Sequence, residues 1–306
     1  MSFFAGARRQ NHRRGTRVPP TIAFNEHQLH SVFQPIYAVR ESQVAGYEGL
    51  LRATAAPGRT IRIASLIAGL EEAEIVSLDR TARTLHMRSF ASVDPGNKTL
   101  FLNLHPVAAL AEAGNAKGMR GRVGYFGLTP NRICLEILEG SCKDEGLLVD
   151  AVAACREMGF AVAMDDFGVE RSNFDRVAAL RPDYVKLDRT ILAKAVGDAK
   201  ARRVLPSLID ILHAAGSQVV VEGIENASGA LLAIEAGADL LQGFYFAAPA
   251  AQLHDDALTA RILRELLRMR GPSPQMMARL PAPMRRTGST ADSLQSYGEP
   301  PVETVE

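Results

Sequence analysis

At 306 residues the chain has room for one large domain or two small ones, and with 47% hydrophobic residues it can bury an ordinary globular core. Lysine plus arginine number 35 against 34 aspartate plus glutamate, which argues against a whole-surface electrostatic nucleic-acid binder and leaves only local patches open. No apolar run approaches the roughly 20 residues of a membrane span, and three cysteines at no metal-ligand spacing (Cys134, Cys142, Cys155) suit reduced thiols of a cytoplasmic protein better than a disulfide framework.

The first residues, "MSFFAGARRQNHRRGTR", are basic but lead into no hydrophobic segment, so they read as a disordered arm over 1–24 rather than a secretory signal. Such a charge run is read first as a solvated tail; contact with nucleic acid or an anionic membrane is the less favoured reading. Eight strand-like runs follow: "SVFQPIYAV", "VAGYEGLLRA", "TLFLNLHP", "RICLEILE", "AVAMDDF", "YVKLD", "QVVVEGIE" and "LLQGFYF". Most are short, continuous and rich in Val, Ile, Leu or Phe, as strands buried on both faces require. Helix-like stretches alternate with them: "IASLIAGLEEAEIVSLDRTARTLHMRSFAS", "DEGLLVDAVAACREMG", "ARRVLPSLIDILHAAG" and "ASGALLAIEAGA". Residues 25–269 therefore read as one compact α/β unit, a (β/α)₈ barrel of the TIM type. A doubly wound sheet is the rival, disfavoured because eight strands recur and no glycine-rich fingerprint follows the first. Only "RESQ" separates the first two strands, too short for a helical crossover, so the first strand is expected to run antiparallel to its successor. From 270 to 306 the density of Pro, Ser, Gly and charge predicts a disordered tail.

Chemistry gathers at the strand ends. Glu48, Asn103, Glu136, Asp165 with Asp166, Lys186 with Asp188, Glu222 and Gln242 each close an apolar run. In a barrel those ends converge at one mouth. Several carboxylates with an asparagine carbonyl make an all-oxygen, strongly negative pocket, so divalent cations such as Mg²⁺ or Mn²⁺ are implied rather than zinc. Adjacent aspartates repel one another, and a cation is what would make "MDDF" tolerable at the end of a core strand. Cations sharing a water can lower its pKa and stabilise an in-line phosphoryl displacement. Lys186 is placed to orient that water, and Arg52, just past Glu48, to hold a substrate phosphate. His105 reads as a structural strand-to-loop residue, and "HDD" at His254 as an acid cluster at a helix start. No G-x-S-x-G elbow, H-E-x-x-H or P-loop is present.

At these residues the chain resembles the EAL domain family, the bacterial cyclic di-GMP phosphodiesterases. The resemblance is carried by "FQPI", "GYEGLLR", "NLHP", "LEILE", "MDDFG", "VKLDR", "VVVEGIEN" and "LQGFYFAAP", in family order across almost the whole compact segment. It implies a barrel whose first strand runs against the others, and hydrolysis of cyclic di-GMP to linear pGpG with Mg²⁺ or Mn²⁺, two per active site. Carried over by position, Glu48, Asn103, Glu136 and Asp165 match ligands of a first cation. Asp166 and Glu222 match positions serving the second cation or its water, and Lys186 the residue contacting the nucleophilic water. Gln34, Arg52, Asp188, Glu225 and Gln242 match residues that bind substrate or support the site.

Three departures from the family pattern stand out. Gly49 replaces the name-giving alanine, with little expected effect on ligation, and Ala53 stands where a tryptophan is usual. After "DDFG" the chain reads "VERSN" (residues 169–173) where a glycine-containing "TGYSS"-like loop is usual. The resemblance implies that this loop couples dimerisation to metal and substrate binding. Its anchor Glu139 is retained, with Ser172 or Asn173 as candidate partner. A homodimer is expected, and a regulatory protein is a further candidate partner. The favoured reading is a phosphodiesterase of weak or conditional activity. The alternative is a non-catalytic cyclic di-GMP receptor with a degenerate loop. A regulator that no longer uses the nucleotide fits poorly with a complete polar set.

Overall fold

The computed structural model describes residues 20–56, 58–93, 96–113, 116–138, 145–169, 174–253 and 256–270. Ten strands run in chain order as β1 (Thr21–Phe24), β2 (His27–Ala38), β3 (Gln43–Ala55), β4 (Arg59–Ile61), β5 (Thr99–Leu104), β6 (Ile133–Leu138), β7 (Ala161–Phe167), β8 (Tyr184–Leu187), β9 (Gln218–Val221) and β10 (Leu240–Leu241). The helices are α1 (Ile63–Ile67), α2 (Glu72–Ser92), α3 (Pro106–Ala113), α4 (Ala116–Tyr125), α5 (Glu145–Glu157), α6 (Phe174–Leu180), α7 (Arg189–Gly197), α8 (Ala199–Ala214), α9 (Ala227–Ala236) and α10 (Asp256–Arg270). Among the described residues no helix is long and apolar enough to cross a membrane.

Eight strands close a barrel in the order β2, β10, β9, β8, β7, β6, β5, β3, with β3 returning to pair with β2. β2 is antiparallel to both of its barrel neighbours, β3 and β10. Every other neighbouring pair in the ring is parallel. The expected topology is therefore present, and its cause is the short β2–β3 link: four residues can turn a hairpin but cannot cross over.

Several boundaries differ from the sequence expectation. Thr21–Phe24, counted with the basic arm, form β1 and pair antiparallel with the mouth end of β2. β4 pairs with the far end of β3, so both barrel strands of the hairpin carry an extra strand outside the ring. Residues 63–92, which read as one helical stretch, form two helices. The break spans residues 68–71 around Gly69, and α2 restarts with a capping box in which the Glu71 side chain accepts from the third-residue N–H while Glu74 Oε2 accepts from the Glu71 N–H at 3.1 Å. The arm through residue 19, the tail from 271, His254 and Cys142 lie outside the described residues.

Two apolar layers hold the barrel. The outer one lies between strands and helices and includes Leu100, Leu102, Leu135, Val162, Val185 and Val221. The inner one plugs the barrel floor with Ile36, Phe101, Cys134, Ala163, Val220 and Leu240, flanked by Tyr184. β3 gives the floor Gly46, whose added Cβ would lie 2.8 Å from Phe101 Cε2 and 2.4 Å from the Thr99 carbonyl oxygen. A bare backbone there makes room for the Phe101 ring. Ala53 points outward instead. It is fully buried against Leu29, Leu66, Leu78 and Leu85, opposite Ile61 of β4. That close packing leaves no space for an indole.

Candidate active site

One pleat above the floor the chemistry reverses. Side chains two apart on a strand share a face, so each floor residue fixes which residue lies above it. Phe101 places Asn103, Cys134 places Glu136, Ala163 places Asp165, Tyr184 places Lys186, Val220 places Glu222, and Leu240 places Gln242. Gly46 places Glu48. On β2, which runs the other way, Ile36 places Gln34, directly across the ladder from Glu48. All eight barrel strands thus supply one polar residue to a single layer.

At its centre stands Lys186, 1% exposed. Its Nζ lies 2.8 Å from Glu136 Oε1, 2.8 Å from Glu222 Oε1, 3.0 Å from Asp165 Oδ1 and 3.6 Å from Glu48 Oε2. Glu48 is held from two further sides: Gln242 Nε2 donates to Oε2 at 2.7 Å and Asn103 Nδ2 to Oε1 at 3.3 Å. Gln242 Nε2 also reaches Gln34 Oε1 at 3.3 Å, and Gln34 Nε2 donates to the Ala247 carbonyl oxygen at 3.2 Å. This amide chain ties the β2–β10 seam to the glutamate.

Asp166 should point away from Asp165 in a regular strand. It does not, because the β7–β8 register slips between Met164 and Phe167 and Asp166 sits at φ 55°. That bulge with a left-handed residue re-aims the second carboxylate. Asp165, Asp166 and Glu222 consequently offer oxygens within 4.8 Å of one another.

The electrostatics are those of an over-charged acidic cage. Burial, then the repulsion of Asp165, pushes the Asp166 pKa up to about 6. Burial pushes Glu222 up to about 8 against the pull of Lys186, and pushes buried Glu136 well above the carboxylate range. Burial alone would lower Lys186, but Asp165, Glu136, Glu222 and Glu48 together hold it well above its ordinary value. One ammonium cannot neutralise five carboxylates. Glu136 Oε2 is buried with no hydrogen-bond partner among the described residues. Unpaired buried oxygen and surplus negative charge, with no imidazole or thiolate in the set, fit hard divalent cations.

The remaining candidate residues lie nearer the surface. Arg52 stands two pleat positions beyond Glu48 on the same face of β3, with Nη1 donating to the Leu51 carbonyl oxygen at 2.9 Å. Asp188 is the N-cap of α7, its Oδ1 accepting from the Thr190 N–H at 2.9 Å. Glu225 is exposed in the β9–α9 loop and the structure does not bring it into the cage. Glu139 and residues 170–173 lie outside the described residues. His105 caps α3, its Nδ1 accepting from the Val107 N–H at 3.3 Å. The sequence reading missed Asp79 of α2, whose Oδ1 accepts from the His105 N–H at 3.0 Å while Oδ2 takes the Arg83 Nε at 2.8 Å. This nearly buried pair fixes the turn after Asn103; no local signal in the sequence marks it.

Comparison with known proteins agrees with this picture. A family model described as EAL domain matches residues 21–249. The cyclic di-GMP phosphodiesterase RocR of Pseudomonas aeruginosa is 31% identical over 156 residues, which is 51% of this chain and 40% of RocR. The chain thus spans less than half the length of that relative. Among solved structures, the Bacillus subtilis YkuI protein, in complex with substrate c-di-GMP and calcium, superposes with a TM-score of 0.70 at 24% identity, over 79% of this chain and 60% of that one. A Klebsiella pneumoniae BlrP1 complex with manganese and cyclic di-GMP gives a TM-score of 0.67 at 21% identity, over 77% and 59%. At these identities the likeness is one of fold.

Proposed function

The chain belongs to the EAL domain family, and from that premise we propose that it hydrolyses cyclic di-GMP to linear pGpG with Mg²⁺ or Mn²⁺. The observation that carries the reading is the complete polar layer, in which every barrel strand contributes a residue and one lysine answers four carboxylates. Glu48, Asn103, Glu136 and Asp165 would hold one cation, and Asp166 and Glu222 would serve the second. When bound, the cations supply a lowered water pKa and charge neutralisation at the phosphate.

The reaction adds one water across one phosphodiester. A phosphorus–oxygen bond forms to the water and the bond to the ribose 3′-oxygen breaks. The products carry a 5′-phosphate and a 3′-hydroxyl, the latter taking up a proton. Lys186 orients the attacking water from inside the cage, where four acids keep its ammonium protonated. Glu222 Oε1 lies 2.8 Å from that ammonium, where its carboxylate would serve the second cation or its water. Gln34 and Gln242 fix Glu48, and Arg52 offers its guanidinium to a phosphate at the mouth. Asp188 and Glu225 would act from the rim.

The test is turnover of cyclic di-GMP by the purified chain with Mg²⁺ or Mn²⁺, followed by chromatography for pGpG, beside Glu48→Ala. Product that falls by on the order of 10³-fold in the variant supports the reading. Nucleotide binding with no product in either protein would make the chain a receptor instead.

A further inference from the structure

The residue after Glu48 has no side chain, and the reason lies on the outer face of β3. Gly49 points away from the barrel interior toward α2. A methyl group built there would meet His86 at 3.0 Å from Cγ, 3.2 Å from Cβ and 3.4 Å from Cδ2. The ring has little freedom to retreat. It is 4% exposed, and its Nδ1 shares a hydrogen bond of 2.8 Å with Ser31 Oγ. Phe33 meets it edge-on at 6.5 Å between centroids and packs in turn on Phe90. Ser31 and Phe33 lie across the ladder from Leu51 and Gly49. His86 is therefore wedged against the β2–β3 hairpin directly behind the carboxylate that Asn103, Gln242 and Lys186 share. Burial, reinforced by the Arg52 charge, pushes its pKa down to about 3, so the wedge is a neutral ring.

We propose that His86 is a positioning residue for the cation site: filling the space behind Gly49, it sets how deep β3 sits against α2 and so fixes the Glu48 carboxylate. The inference rests on the reading of Glu48 as a cation ligand. Neighbouring Cα atoms are about 3.8 Å apart on a stiff backbone, so a shift of a few tenths of an ångström at Gly49 passes to Glu48. Cation sites and in-line displacements both respond steeply to such errors.

The test uses the full chain with Gly49→Ala, His86→Ala and the double variant. Mn²⁺ affinity is read by electron paramagnetic resonance of the free ion, and kcat and KM on cyclic di-GMP are measured well below each melting temperature. Each single change should weaken Mn²⁺ binding about five-fold and lower kcat with KM nearly constant. The double variant, whose added methyl occupies space the ring vacates, should return to within about two-fold of the parent, a coupling in the usual range for touching residues. Single variants that keep the parent's affinity would overturn the inference, as would a double variant whose loss is the product of both. A lower melting temperature with unchanged Mn²⁺ affinity would also overturn it, since His86 would then only pack. If Gly49→Ala does not fold, Ser31→Ala frees the ring behind an intact Gly49. Its affinity should fall about two-fold, and no change would count against the proposal. A parent that binds no Mn²⁺, indistinguishable from Glu48→Ala, would sink the cation reading and this inference with it. A parent that binds, with all variants alike, sinks this inference alone.

Discussion

The floor of the barrel and the cage above it lie on the same strands, one pleat apart; the floor is buried throughout, and in the cage Glu48, Glu136, Asp165 and Lys186 are buried while Asn103, Asp166 and Glu222 are half-buried. The floor closes on itself: Ile36, Phe101, Cys134, Ala163, Val220 and Leu240 satisfy one another by contact. The cage does not close: four of its five carboxylates pair with one ammonium, and among the described residues Glu136 Oε2 has no hydrogen-bond partner. Burial stabilises the first and opposes the second, because removing charge from water is repaid only by opposite charge. The cage is therefore held in place by its floor and outer layer rather than by its own charges.

Changes in the two layers should therefore fail differently. Phe101→Ala empties the centre of the floor and should cost about 4 kcal/mol of stability, read by urea unfolding, whether or not cation is present. Lys186→Met removes the ammonium that the described residues place in the cage and should cost about 3 kcal/mol in chelated protein. Saturating Mn²⁺ should recover most of that loss, because the cation takes over the same carboxylates. If both variants respond to Mn²⁺ alike, the distinction between the layers is wrong.

A pH series sharpens the comparison. Asp166 and Glu222 titrate at about 6 and about 8, against ordinary values of 3.8 and 4.5. In chelated protein the folded chain binds more protons than the unfolded chain between about pH 4 and pH 8, so these acids remove stability as pH rises through that window. A divalent cation must displace the same protons. The rise in melting temperature on adding Mn²⁺ should thus be larger at pH 8 than at pH 6, and equal rises would contradict the assignment. The smallest effect is expected at the rim. Asp188→Ala removes the cap of α7 and should cost about 1 kcal/mol by thermal melting. A KM that rises at the same time would show that the cap also meets substrate.

The sequence reading found the cage unevenly, and the unevenness has physical causes. On seven strands the polar residue ends an apolar run, because those strands run from floor to mouth. On β2 the direction is reversed, so Gln34 precedes its floor partner Ile36 and sits inside the run "SVFQPIYAV". Only the family resemblance picked it out. Likewise "DD" suggested a cation without saying how neighbouring residues could face one site; the bulge at Asp166 answers that. The break between α1 and α2 was legible after all, in Gly69 and the Glu71/Glu74 box. β1 and β4 were not, since short edge strands carry too few residues for a period to register.

By itself the sequence determined the alternation of strands and helices, the reversed first strand, and the identity of nearly every group in the cage. Each of these depends on local quantities: apolar period, link length, and residue type at a strand end. Tertiary structure alone decided that Lys186 faces four acids at once, that Glu48 is gripped by two amides from distant strands, and that His86 lies behind Gly49. These contacts join residues far apart in the chain, and only closure of the barrel, with its fixed register and helix packing, brings them within reach.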